Sequence, residues 1–118
     1  MHLIVITLLL KYVIIVKKEY SMTSLSTIKN TLIQIKPFLQ RHYNISSLSI
    51  FGSYAREEET ITSDIDLLVD FTKTPDLLTF IEIEEYLSKK LKQPVDLVPK
   101  RKLKAQLKNQ ILQEAIAV

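Results

Sequence analysis

Gly52 is the only glycine in this 118-residue chain, so every other turn must be closed by residues that carry side chains. A domain of ordinary composition holds about 7% glycine, roughly eight residues at this length. Gly52 stands directly after Leu48-Ser49-Ile50-Phe51 and before Ser53, and ten further residues lead to Asp64-Ile65-Asp66. Such a glycine marks a backbone site that tolerates no side chain, and a phosphate is the expected occupant of that site.

The length suits one domain that can bury about two-thirds of its unfolded surface without metals or disulfides. Cysteine is absent, which excludes a disulfide framework and a thiolate metal site. A reducing, cytoplasmic setting is the simplest reading. The formal net charge is +3, but it is unevenly spread. Ten acids lie between Glu57 and Glu85, and eight lysines and arginines lie between Lys89 and Lys108. One region suits a metal, the other an anion.

Residues 1–21 read differently from the rest. Leu3 to Val16 is apolar except for Thr7, Lys11 and Tyr12, and it is shorter than the ~20 residues that span a bilayer as a helix. It has neither a basic leader nor a small-residue cleavage site, so no membrane association is expected. We read residues 1–21 as an apolar extension, either an upstream stretch before a start at Met22 or an added strand or arm. Residues 22–118 are the domain proper, with Thr23 or Ser24 capping its first helix.

From Met22 onward helix and strand alternate. Leu25, Ile28, Leu32 and Ile35 recur at helical spacing, and Pro37 is expected to end that helix or open a second one. Asn44 reads as a stop. Ser47 to Phe51 reads as a strand, Gly52 to Glu57 as a brief helix, and Ile65 to Phe71 as a more buried strand. Thr74-Pro75-Asp76 is turn chemistry. A helix follows with Leu77, Phe80, Ile81, Leu87 and Leu91 on one face and Glu82, Glu85, Lys89 and Lys92 toward water. Val95 to Val98 is a third strand, and Leu103, Leu107, Ile111 and Ala115 form the stripe of a last helix. The fold class is α/β (α+β), a three-strand sheet flanked by helices.

Asp64 and Asp66 share one face of a strand, because side chains two apart point the same way. Paired carboxylates repel unless a cation lies between them. An all-oxygen set without histidine or cysteine suits magnesium, which takes one or two carboxylates with waters and substrate phosphates. Asp96, set in an apolar strand, is the third candidate, and three carboxylates at one sheet edge would hold two divalent ions. Taken singly, each motif has a plainer reading: an Asp-x-Asp on a solvated strand, a Gly-Ser turn, an acid at an exposed edge. Their combination carries the argument.

Phe51-Gly52-Ser53-Tyr54-Ala55-Arg56, Ser63-Asp64-Ile65-Asp66-Leu67-Leu68-Val69 and Val95-Asp96-Leu97-Val98 together resemble the minimal nucleotidyltransferases of the DNA polymerase β superfamily, closest to the MntA-like antitoxins. The resemblance runs from Met22 to Val118. It implies a polymerase β-like fold and an adenylyltransferase using ATP and Mg2+, with two ions. Gly52 and Ser53 would contact the triphosphate, Asp64 and Asp66 would bind the metals, and Asp96 would complete the triad and help activate the attacking hydroxyl. Arg56 matches the family's arginine, as a phosphate contact or a surface ion-pair partner. It further implies a type VII toxin–antitoxin pair, in which AMP passes to a tyrosine of a HEPN-family ribonuclease toxin within a hetero-oligomer. Two alternatives stay open: an antitoxin that acts by occlusion, and transfer to a small molecule such as an aminoglycoside.

One departure is Glu57, where the family usually has glycine, so the loop from Glu57 to Thr62 is expected to turn differently. Lys100, Arg101, Lys102, Lys104 and Lys108 could attract RNA or an acidic partner. No aromatics interleave them for stacking, so direct nucleic-acid binding is not expected. His2 and His42 have no partners at ligand spacing, and Tyr20, Tyr43, Tyr54 and Tyr86 read as packing residues.

Overall fold

The computed structural model describes Leu9 and residues 24–118. The readings for the 1–21 extension and for Thr23 therefore lie outside the described residues. Helix α1 spans Leu25–Tyr43, β1 Ile45–Phe51, the one-turn α2 Gly52–Ala55, β2 Ile65–Phe71, α3 Leu77–Leu91 and β3 Val95–Pro99. A 3-10 turn at Lys100–Lys102, α4 at Ala105–Glu114 and β4 at Ile116–Ala117 complete the described elements.

Among the described residues the sheet has four strands in the order β3-β2-β1-β4, one more than the three expected. β1 runs antiparallel to β2 and to β4, and β2 runs parallel to β3. Two residues are too short to show a period, so β4 was invisible as a pattern. It forms because β1 is an edge with open backbone groups; Val118 N–H donates to Leu48 O at 3.0 Å.

Helix α1 is continuous through Pro37, contrary to the expected break. Proline removes the N–H that would bond the Ile33 carbonyl, but Ile33 and Pro37 both lie on the exposed side, where water can serve that carbonyl. The buried stripe of Ile28, Leu32, Leu39 and Tyr43 then outweighs the break. At its start the Ser24 hydroxyl accepts the Thr27 N–H at 3.2 Å, a cap worth about 1 kcal/mol. At its end Asn44 takes a left-handed φ of 57°, as a helix stop requires without glycine.

In α3 the buried residues are Ile83, Leu87 and Leu91. Leu77, Leu78 and Ile81 are 72%, 78% and 43% exposed, so the expected Leu77/Ile81 face is not the core face. Helix α4 buries no residue; Leu103 precedes it and Ala115 follows it. Helix α2 likewise stops two residues short of the expected Glu57. The core joins α1 and α3 to one face of the sheet, with Ile45, Leu48, Ile50, Ile65, Leu67, Val69, Val95 and Leu97 all in the cluster. Each such side chain contributes about 1.5–3 kcal/mol on burial. Among the described residues no helix is long and apolar enough to cross a membrane.

Candidate active site

The alternation that sends Ile65, Leu67 and Val69 into the core sends Asp66, Leu68 and Asp70 to the opposite face. Across the parallel ladder Asp66 is in register with Asp96, and across the antiparallel ladder with Phe51. Asp64 precedes β2 by one residue. The three carboxylates thus meet where β1 ends and β2 and β3 begin. Asp64 and Asp96 are exposed and Asp66 is half-buried. Asp96 is the second residue of β3 and open to water, so the burial cost expected for an aspartate in an apolar strand does not arise.

Asp66 is the perturbed member. Burial, then the charges of Asp96 and Asp64, push its carboxyl up to about 6, and Arg56 pulls weakly the other way. This is what burial together with two neighbouring carboxylates does to a third.

Gly52 explains itself at this point. Its φ is +72°, in the left-handed region, and a Cβ there would overlap Asp66 Oδ2 and lie 3.0 Å from Asp66 Cγ. Any larger residue would both strain the turn and displace the carboxylate. The anion that packs against this glycine is the protein's own Asp66, where the sequence suggested only a phosphate. Ser53 follows, half-buried, at the start of the α2 turn.

Tyr54 anchors α2. It is 1% exposed, and its hydroxyl donates to Gln93 Oε1 at 2.9 Å. Burial holds its phenol pKa above the ordinary value; the Gln93 hydrogen bond offsets part of this, and the charges of Glu59 and Asp64 add to it. Arg56 lies at the mouth of the site. Its Nε donates to Glu58 at 3.2 Å, and one Nη donates to both oxygens of Glu114 at 3.1 and 3.3 Å. The ion pairs expected of Arg56 as a surface residue are present. Glu57 keeps a left-handed φ of 56°, so the turn takes the conformation that suits glycine, at a cost of about 1–2 kcal/mol for a residue with a Cβ.

Glu114, Gln93 and Glu84 were not singled out in the sequence. Glu84 Oε2 accepts the Leu97 N–H at 3.0 Å and the Ser88 hydroxyl accepts the Val95 N–H at 3.1 Å, which fixes the strand that carries Asp96. Glu114 and Arg56 are 58 residues apart, a separation at which one sequence carries no pairing signal. His42 stacks on Phe38 at 4.9 Å, and Tyr43 is a core residue. Neither joins the site.

The donor chemistry fits magnesium. Three carboxylates share one end of the sheet. Among the described residues no three acidic or histidine side chains converge closely enough to hold one ion by themselves. Magnesium does not need such a cage, since it retains waters and takes substrate phosphates. A broad open depression of about 630 Å³ adjoins Asp64, walled by Ile61, Ser63, Lys92 and Gln93; Asp66 and Asp96 lie outside it.

Residues 33–118 match the polymerase beta nucleotidyltransferase family. A protein adenylyltransferase, MntA of Thermococcus cleftensis, is 41% identical over 98 residues, covering 83% of this chain and 99% of its own. A solved structure described as a minimal nucleotidyltransferase, an assignment provisional in that description, superposes with a TM-score of 0.72 at 34% identity, covering 83% of this chain and 99% of the other. A toxin–antitoxin crystal structure containing AMP-PNP superposes at 0.61 and 28% identity, covering 75% and 69%.

Proposed function

This chain belongs to the polymerase β nucleotidyltransferase family, and from that premise we propose that it is the antitoxin of a type VII toxin–antitoxin pair, transferring AMP from ATP to a tyrosine hydroxyl of a cognate HEPN ribonuclease. The observation that carries the reading is the Asp66–Asp96 register, with Asp64 beside it, next to the single glycine. The MntA relative and the toxin–antitoxin neighbour support the choice of a protein acceptor.

Asp64 and Asp66 would hold magnesium, with Asp96 completing a two-ion set; the metal supplies charge neutralisation at the triphosphate. Gly52 and Ser53 lie where the Phe51 strand turns toward the carboxylates, and they receive the phosphates. Asp96, open to water beside the half-buried Asp66, takes the acceptor's hydroxyl proton. The tyrosine oxygen bonds to the α-phosphorus as the α–β phosphoanhydride breaks, and pyrophosphate leaves. Arg56, positioned by Glu58 and Glu114, would contact the triphosphate.

The test is to incubate the chain with ATP, magnesium and its HEPN partner and take intact masses of both proteins. AMP-sized additions to the partner, absent with Asp64→Ala/Asp66→Ala, are the expected result. Toxin neutralised by the double variant without any addition would show occlusion instead.

A further inference from the structure

The far end of the sheet holds a feature that AMP transfer does not use. Leu77 and Leu78 open helix α3 almost fully exposed, and Ile81 one turn on is 43% exposed. Consecutive leucines on a solvent face bury little of their surface, and a contiguous apolar patch of this kind marks an interaction surface. Leu77 lines a groove of about 250 Å³ between Phe71, Phe80 and Pro99, room for one or two apolar side chains, and Leu78 and Ile81 extend the apolar surface along the same helix.

The rim of the groove is charged, and the charge is positive. Arg101 and Lys102 stand on one wall, and the Arg101 guanidinium is oriented by donating to Thr74 Oγ1 at 3.2 Å. Asp76 is the acid on the lining, but its carboxylate is spent on its own helix, accepting the Thr79 N–H at 2.8 Å. The groove therefore suits a segment with large apolar side chains beside carboxylates.

Its position matters as much as its chemistry. Phe71 ends β2 and Asp66 lies near its start; five residues of strand separate them by about 17 Å. A partner seated here leaves the carboxylates and the Gly52 turn open.

We infer that the groove between α3 and the Lys100–Lys102 turn is the docking site for the protein acceptor, through an acidic, apolar segment of that protein. The inference rests on the proposed adenylyl transfer and adds where the acceptor is held while its hydroxyl reaches the active end. Docking and chemistry then occupy opposite ends of one strand pair.

The experiment measures steady-state AMP transfer to the HEPN partner with Leu77→Ser/Leu78→Ser and, separately, Arg101→Glu. All three residues are at the surface, so both variants should fold; thermal melts check this. KM for the protein acceptor should rise at least tenfold, with kcat and KM for ATP unchanged. Sedimentation velocity of the chain alone is run in parallel. Unchanged acceptor KM in both variants, with wild-type transfer intact, overturns the docking site and leaves the function standing. A dimer of the chain alone that the leucine variant dissociates, with acceptor KM unmoved, assigns the groove to a second copy and also overturns it. No transfer and no complex with the wild-type chain removes the function itself, and the docking site with it.

Discussion

The two faces of this sheet differ by one residue of register, and the contrast separates stability from chemistry. On one face Ile65, Leu67 and Val69 of β2, with Leu97 of β3 and Ile50 of β1, are 0–4% exposed under α1 and α3. On the other, Asp66 and Asp96 stand side by side, and burial and mutual repulsion raise Asp66 to about 6. The covered face lowers the free energy of the fold. At the Asp66 end the other face raises it, since crowded carboxylates with no cation among them repel one another.

The largest effect expected is on activity at the open face. Asp66→Asn should reduce AMP transfer about a thousandfold, the loss of several kcal/mol of charge stabilisation at the reacting phosphates, read by single-turnover kinetics. A change at the covered face should do the reverse. Leu67→Ala, at a fully buried site, should cost about 2–5 kcal/mol in urea melts, with transfer per folded molecule unchanged. Loss of activity in step with loss of stability would mean that the faces are not independent.

The same Asp66→Asn variant should be more stable than wild type when metal is absent. A carboxylate whose pKa rises from about 3.9 unfolded to about 6 folded binds more protons in the folded state. Stability therefore falls as pH rises from 4 to 6, and the penalty is complete above that. Solvent screening of a half-exposed group trims it to roughly 1 kcal/mol. The gain in the variant should be near zero at pH 4 and full at pH 7.5, and magnesium should raise the wild-type Tm more than the variant's.

Smaller effects belong to the loop and the tail. Glu57→Gly should stabilise by about 0.5–1 kcal/mol, because glycine occupies the left-handed region freely but costs more chain entropy. Glu114→Gln, which loosens Arg56, should raise KM for ATP a few-fold and leave kcat little changed. An unaltered KM would mean that Arg56 serves only to pin α4.

Much of this was legible in the chain because it is local. Asn44 and Asp76 announce helix ends, and Asp64, Asp66 and Asp96 stand at spacings whose strand geometry decides their direction. The misread parts are those where tertiary context overrides a local rule. Pro37 sits inside a helix because its carbonyl partner faces water. Leu77 and Ile81 have core-like character and no core above them. Glu57 keeps a glycine's backbone angle without being glycine.

What the sequence by itself determined is most of the longer elements and the chemistry of the carboxylates, both consequences of a two- or 3.6-residue period. What only the tertiary structure decided is their meeting: Asp66 beside Asp96 across a parallel ladder, Gly52 against the Asp66 carboxylate, Glu114 on Arg56, and the edge pairing of Ile116–Ala117. Those contacts join residues as much as 68 positions apart, as Ser49 and Ala117 are. The energy that selects such distant pairs comes from burying the other face of the sheet, which no short window of sequence can register.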